Sequence, residues 1–339
     1  MNKLDERYRA EKAPSKRGKY ANWTAAKGLQ AVDGLKTSPY LDEVAQRDIE
    51  GEIDAYRAKE LIDSYYHTIA KVEEIERHAE ADMVAARINI LISEQAFTLS
   101  TEELVDIHAR LFEGVFEFAG RIRTRNIIKY EWVLAGDTVT YGNAYNLRSN
   151  VDSLMKKERL APFRQMDDEE RIYHLAQFCA DLWQLHLFDE GNTRTTAVFM
   201  IKYLRALGFD VDNTLFQDNS RYFRNALVRA NYNNLKKNFF EERVFLDNFF
   251  IDLVDGTRHE MKSHYLLVGT DGTLLINQDL NTRILSLIDA NPSITRAQMA
   301  EQLQVSIKTI ERHLKELADK VTRTGSKRKG AWKVGDNKG

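Results

Sequence analysis

One cysteine in 339 residues, Cys179, excludes an intrachain disulfide framework. It falls on the apolar stripe of a helical segment, so the thiol reads as packing. Proline is almost as scarce. Four prolines and 17 glycines, beside 29% charged and 43% hydrophobic residues, predict a mainly α protein. No apolar run approaches the roughly 20 residues that a membrane-spanning helix needs, and the N-terminus lacks a signal-peptide core. The expectation is a cytoplasmic protein with no membrane partner. A net charge of −2 exerts no global pull on nucleic acid. The length suffices for two or three domains, each with its own core.

Along the chain, residues 1–22 are rich in Lys and Arg, are interrupted by Pro14-Ser-Lys-Arg-Gly18, and predict a loosely ordered tail. Residues 23–75 predict two or three short helices. One ends at Asp33-Gly34, one starts at Pro39, and one runs from Ala55 to Tyr66 after the break at Glu50-Gly51-Glu52. A charged amphipathic helix over 71–96 leads into a central domain, placed at 76–256. A linker follows at 257–278, containing Gly269-Thr-Asp-Gly272, and a last domain spans 279–335.

The densest chemistry lies in His186-Leu-Phe-Asp-Glu-Gly-Asn-Thr-Arg194. Ile172, Leu175, Ala176, Cys179, Leu182 and Trp183 recur at helical spacing, and His186 continues that stripe at the helix end. A second helical pattern resumes at Thr193 and stops at Gly208. The Gly191-Asn192 turn therefore opens a helix. Its unpaired N–H groups, the positive end of the dipole and Arg194 suit phosphate oxygens. Glu190 beside that anion site suits a magnesium ion bridging carboxylate and phosphates. His186, one turn away, can take a proton from a hydroxyl. Each piece alone has a bland explanation, a core histidine or a C-cap followed by a new helix. The ordered combination does not.

This segment resembles the signature of Fic-domain proteins, H-P-F-x-D/E-G-N-x-R. The resemblance runs from about Leu99 to Leu253. It includes Leu104–Gly120 before a Gly-x-Ile-Arg stretch, here Gly120-Arg-Ile-Arg123, and Tyr222-x-x-x-Ala226-x-x-x-Ala230, similar to the helix closing that family's nucleotide pocket. It implies a Fic-type helical bundle with one β-hairpin flap, and transfer of AMP from ATP to a Ser, Thr or Tyr hydroxyl of a target protein. On that basis His186 is the base and Phe188 anchors the loop. Glu190 holds Mg2+, while Gly191, Asn192, Thr193, Arg194 and Tyr222 bind the nucleotide.

Two departures stand out. Leu187 replaces the family's Pro. Ala197 occupies the place of a second Arg that contacts the terminal phosphate in many active members. Losing that guanidinium removes a charge-assisted interaction of about 1.5–3 kcal/mol. A different nucleotide, or another phosphate-containing donor, is therefore the alternative to ATP. The N-terminal block resembles the small helical antitoxin that inhibits some Fic toxins through S/T-x-x-x-E-G. The nearest match is Leu29-Gln-Ala-Val-Asp33-Gly34, degenerate at both ends, so Asp33 and Gly34 are the candidate regulatory residues. A stabilising helical cap is the competing explanation.

Alternation around Ala135-Gly136-Asp137 predicts a hairpin with strands at Trp132–Leu134 and Thr138–Tyr141. The resemblance makes it the flap that docks the target by strand addition; a purely structural hairpin is the alternative. The C-terminal block predicts helices at Leu280–Ala290, Thr295–Leu303 and Ser306–Asp319, then a basic hairpin over 321–334. That order resembles a winged helix-turn-helix domain. From Ser306 onward there are ten Lys/Arg against four Asp/Glu. Lys308, Thr309 and Arg312 would face the major groove, and Lys327, Arg328 and Lys329 would meet phosphates. Docking on protein is the other use of such domains. Two classes of function follow: a nucleotide-using transferase, for which a homodimer is a compatible assembly, or a decayed enzyme that senses a nucleotide and regulates DNA.

Overall fold

The computed structural model describes residues 14–68, 73–237, 239–268, 280–303, 305–318, 320–324 and 330–334. Its helices are α1 (Lys16–Gly28), α2 (Pro39–Glu50), α3 (Ala55–Thr68), α4 (Glu73–Ser93), α5 (Thr101–Phe112), α6 (Leu147–Arg159), α7 (Asp168–Leu185), α8 (Asn192–Ala206), α9 (Phe216–Ala230), α10 (Val244–Asp255), α11 (Leu280–Ala290), α12 (Arg296–Leu303) and α13 (Ile307–Glu316). Strands β1 (Val321–Thr324) and β2 (Ala331–Val334) form the only named sheet among the described residues. The mainly α expectation holds, and no described helix is long and apolar enough to cross a membrane. The chain divides into two compact units. The first holds residues up to 126, 141–224 and 247–259; the second holds 127–140, 225–246 and everything from 260 onward.

In the first unit the helix punctuation of the sequence does its work. Ser15 caps α1 by accepting from the Gly18 N–H, a 3-10 turn over Leu29–Asp33 ends at left-handed Gly34, and Pro39 opens α2 behind the Ser38 cap. Helical structure starts earlier than expected, because α1 begins at Lys16, inside the stretch whose composition predicts a tail. What fixes it is a buried carboxylate. Asp48 on α2 takes Trp23 Nε1 at 2.8 Å, Lys19 Nζ at 2.7 Å and Asn89 Nδ2 at 3.3 Å, joining α1, α2 and α4. A buried acid is stable only with such donors around it. At its other end α1 meets α9 backbone to backbone. A Cβ at Gly28 would stand 2.3 Å from the Phe216 carbonyl oxygen, and Ser220 Oγ donates to Gly28 O at 2.7 Å.

The second unit is built on the three-helix core predicted for the last domain. Ile284, Leu287, Ile288, Met299, Ile310 and Leu314 interlock, and Trp332 of β2 closes the core, its indole N–H donating to Ile294 O at 2.7 Å. β1 and β2 pair antiparallel from Val321↔Val334 to Thr324↔Ala331, the expected wing. The helix starts agree with the sequence reading to within a residue; the last helix stops at Glu316, before the predicted Asp319. The linker needs correction: Ser263–Leu266 is a 3-10 turn, and Leu267 belongs to this core. Gly269-Thr-Asp-Gly272 lies outside the described residues.

The predicted flap also differs. Trp132–Leu134 is a 3-10 turn, not a strand, and a single antiparallel bridge joins Tyr130 to Thr138. The turn centre matches the expectation, since Ala135 (φ 52°) and Gly136 (φ 81°) are both left-handed. Pairing stops there because Glu131 O accepts from the N–H groups of both Leu134 and Gly136, so those donors curl inward. Asp137 anchors the loop by accepting from Tyr232 Oη at 2.8 Å and Asn234 Nδ2 at 2.9 Å, with Lys237 Nζ at 3.5 Å. Trp132 packs against the three-helix core, and Val268 N–H donates to Val133 O at 2.9 Å.

Candidate active site

α7 starts in a capping box between Asp167 and Glu170 and ends at His186, whose backbone is left-handed at φ 49°. A non-glycine residue there carries roughly 1–2 kcal/mol of strain, and the surroundings hold it. The His186 N–H donates to Trp183 O at 3.0 Å, and its carbonyl accepts from Arg123 Nε at 2.6 Å. Arg123 is buried and also donates to Gly142 O at 2.5 Å and Leu185 O at 3.2 Å, while its N–H reaches Leu187 O. It is a cation on the carbonyl end of a helix, where the dipole favours positive charge. The His186 ring lies 4.3 Å from the Tyr141 ring and 5.2 Å from Trp183, and the residue keeps 4% exposure.

Beyond the histidine the loop closes on itself. Phe188 N–H donates to Asn192 Oδ1 at 2.9 Å, and Asn192 Nδ2 returns to Phe188 O at 2.7 Å. The Phe188 ring is buried, stacked 3.7 Å from His108 at 12°. His108 Nδ1 accepts from the Gly120 N–H at 2.9 Å and Nε2 lies 3.1 Å from Glu190 O. Those partners select the neutral tautomer protonated at Nε2, and burial pushes its pKa down to about 4. Gly191 is left-handed at φ 77°, and a Cβ there would lie 2.4 Å from Phe112 Cε2, so only glycine fits.

The sequence-predicted site residues are thus brought together at the α7–α8 junction, but not all face outward. Glu190 is exposed. Asn192 ties the loop, and Thr193 Oγ1 accepts from Trp183 Nε1 at 3.0 Å, so both side chains are engaged internally. Arg194 is 1% exposed; Nη1 and Nη2 donate hydrogen bonds, while Nε faces Asp33 as an ion pair without a hydrogen bond. Its Nε lies 2.8 Å from Asp33 Oδ2, Nη2 2.8 Å from Glu80 Oε1 and Nη1 3.1 Å from Gln30 Oε1, with the Phe112 ring 4.8 Å away. Ala197 is wholly buried in α8. Tyr222 is buried in α9, where burial and the Asp252 carboxylate push its phenol up; its nucleotide role rests on the resemblance alone. Cavities of about 800 Å³, beside Phe209 and Ile251, and 520 Å³, beside Leu160 and His174, include no residue of the 186–194 loop.

Sequence reasoning misses His108, Glu80, Gln30 and Tyr141, and gives Arg123 no role. His108 sits on the apolar stripe of α5, where a histidine is ordinarily core. Glu80 lies in a charged helix, where one carboxylate among many carries no signal.

The sequence reading expects a divalent cation at Glu190. No cluster of three or more His, Cys, Asp or Glu suited to a metal exists among the described residues. One exposed carboxylate fits magnesium held jointly with donor phosphates, an ion that keeps several waters and few protein ligands.

In the second unit, Ser306 caps α13 by accepting from the Thr309 N–H at 3.1 Å. Lys308 and Arg312 are exposed on that helix, and Thr309 is half-buried with its hydroxyl 2.8 Å from Ser306 Oγ. Lys327, Arg328 and Lys329 lie outside the described residues.

Comparison with known proteins agrees with both units. Residues 98–204 match the Fic/DOC family, and residues 278–320 match the winged helix-turn-helix DNA-binding family. Over 173 residues, 48% of the chain, it is 25% identical to the protein adenylyltransferase VbhT of Bartonella schoenbuchensis, and it spans about a third (33%) of that relative's length. Similar solved structures include the N-terminal Fic domain of Bep8 from Bartonella sp. 1-1C, at TM-score 0.43 and 19% identity, covering 56% of this chain and 88% of that one. Another is a Fic family protein from Desulfovibrio desulfuricans G20, at TM-score 0.45 and 12% identity, covering 94% of this chain and 88% of that one.

Proposed function

Given a Fic/DOC domain over residues 98–204 and a winged helix-turn-helix over 278–320, we propose that the chain is a protein nucleotidyltransferase. Its reaction moves AMP from ATP to a Ser, Thr or Tyr hydroxyl of a target protein, and its described conformation is a restrained one. The observation that carries this reading is the rigid 186–194 loop, held by Arg123, His108, Asn192 and Gly191 in the geometry of a base beside a helix N-terminus.

In the reaction His186 takes the hydroxyl proton and the freed oxygen attacks the α-phosphorus. The bond to the β-phosphate oxygen breaks and pyrophosphate leaves. Magnesium, when bound, offsets charge on the phosphates, and Glu190 would hold it. The turn at Gly191, Asn192 and Thr193 orients the donor through backbone N–H groups, while Arg194 supplies the cation. Positioning and charge neutralisation carry such chemistry.

The restraint is the Asp33 pair. The resemblance puts an inhibitory acid on the second motif arginine. Here the acid supports a different pairing, on Arg194, with Glu80 on the other edge of the guanidinium. Two carboxylates occupy the donors that phosphate oxygens would use. ATP competes with them, and Ala197 offers no second cation.

The test is incubation with Mg2+ and labelled ATP. Label on the protein itself or a co-purified protein, lost in His186→Ala, supports the reading. Absence of label with Asp33→Ala as well rejects ATP as donor. A panel of other nucleotides and phosphate-containing donors then separates a change of donor from a decayed, nucleotide-sensing regulator. The winged helix is proposed to bind duplex DNA, with Lys308, Thr309 and Arg312 toward the major groove and Lys327, Arg328 and Lys329 on phosphates.

A further inference from the structure

A second histidine lies beneath the 186–194 loop. His108 on α5 is fully buried, its ring 3.7 Å from that of Phe188 and 4.8 Å from that of Phe112. Phe112 also carries the Arg194 guanidinium at 4.8 Å and stands where a Gly191 side chain would be. A phenylalanine at 108 would fill the same space and bury no polar atom. What the imidazole adds is one acceptor and one donor. Nδ1 accepts from the Gly120 N–H at 2.9 Å, leaving Nε2 to donate to Glu190 O at 3.1 Å. Burial, aided by the nearby Arg194 charge, keeps the ring neutral at ordinary pH, so this division of roles is fixed.

The consequence lies across one peptide bond. The Glu190 carbonyl and the Gly191 N–H belong to a single planar trans unit and point in opposite directions. Holding the carbonyl on the buried ring therefore turns the N–H away from it. Among the described residues no acceptor takes that N–H, and it directly precedes the amides that open α8 at Asn192. Left-handed Gly191, at φ 77°, followed by helical residues is the backbone pattern that gathers successive N–H groups around an anion. We infer that His108 is a positioning residue for the proposed transfer: as a fixed Nε2–H donor it orients the Glu190–Gly191 peptide so that the Gly191 N–H faces the donor's phosphates. The inference rests on the transferase reading for the identity of the anion. Unlike His186, His108 acts only through the backbone and touches neither substrate nor metal.

The test uses full-length protein and inorganic pyrophosphate, without Mg2+, so that the Glu190 carboxylate has no metal to hold. Affinity is measured by calorimetry, the Gly191 amide resonance and the His108 ring nitrogens by NMR. His108 should carry its proton on Nε2, and pyrophosphate should shift the Gly191 amide. His108→Phe keeps the stack on Phe188 but loses the donor, and should weaken pyrophosphate binding about three- to tenfold, the worth of one hydrogen bond. His108→Gln, whose amide can donate to the same carbonyl, should restore it. A residue that only fills space would give the reverse order, with His108→Phe binding like the parent. That order, a proton on Nδ1, or a Gly191 amide that pyrophosphate leaves unmoved overturns the inference. If His108→Phe fails to fold, the two NMR readings on the parent protein decide. Pyrophosphate binding that depends on the His108 donor, with no label transferred from any donor, keeps the positioning role and removes the transferase reading. Label transfer at the parent rate in His108→Phe does the opposite.

Discussion

Asp33 Oδ2 and Arg194 Nε stand 2.8 Å apart, joining the end of the first N-terminal segment to the start of the helix that follows the motif. Glu80 holds the same guanidinium at 2.8 Å, so removing either acid leaves the other paired with it. Replacing Asp33 with Ala, or Glu80 with Gln, should raise the initial rate of label transfer about tenfold. The double variant should exceed either, because the two acids share one partner. Asp33 keeps about a third of its side chain (32%) in water, so its removal should cost only about 1–2 kcal/mol in urea unfolding. Unchanged rates in both variants would show that the pair is structural.

His186→Ala should lower transfer by about 10²–10⁴, the span of general-base catalysis. Because the backbone is left-handed at φ 49°, His186→Asn is the better-tolerated control. Both should retain the far-ultraviolet circular dichroism of the parent. Residual transfer close to the parent rate would remove the imidazole from the mechanism.

Gly191→Ala meets two obstacles at once, a φ of 77° and Phe112 Cε2 at 2.4 Å from the new methyl. We expect a loss of about 1–3 kcal/mol together with lost transfer. Gly34→Ala, left-handed but with nothing within 4 Å of its added methyl, should lose only the backbone cost of about 1–2 kcal/mol. Equal costs would argue against the packing account.

Acid should loosen residues 127–140. Burial by itself raises the Asp137 carboxyl, but bonds from Tyr232, the Thr138 N–H and Asn234, with Lys237 nearby, outweigh it and hold the group below the usual carboxylate range. A carboxylate lowered on folding stabilises above its unfolded value of about 3.9, and that contribution disappears as pH falls through the folded value. As pH falls below the unfolded value of about 3.9, residues 127–140 should become progressively easier to cleave by an acid protease. Asp137→Asn should remove the pH dependence; wild-type cleavage that does not change with falling pH in that acid range would contradict this.

Neutralising Lys308 or Arg312 should weaken DNA binding. If the side chain meets a phosphate, its neutralisation should reduce the slope of log affinity against log salt by about one. If Arg312 instead reads a base, the gap between preferred and random sequences should narrow by about 1–3 kcal/mol. Gel shifts at several salt concentrations distinguish the two. Unaltered affinity in both variants would favour a protein partner.

The helical elements were legible because their signals are local. Ser38-Pro39 announces α2, Gly51 ends it, and the 3.6-residue stripe of Ile172 to Trp183 marks α7. The loop was legible for the same reason, with histidine, acid, glycine and arginine lying within nine residues. What pairs across the chain was not. Nothing in Glu80 marks it as a partner of Arg194, 114 positions away, and His108 looks like any core histidine until Gly120 and Glu190 appear beside it. The predicted flap misled because alternation around a left-handed pair also fits a curled turn. Glu131 decides between them, by accepting from Leu134 and Gly136.

If the amino-terminal helices restrain Arg194 as proposed, the tight crossing at Gly28 constrains how they release it. With no room for even a methyl group between it and the Phe216 carbonyl, the helix over Lys16–Gly28 packs as part of the first unit, unlike a detachable inhibitor. Deleting that helix should yield aggregated material, not a hyperactive enzyme, so freeing the arginine requires a local shift that leaves the surrounding helices in place.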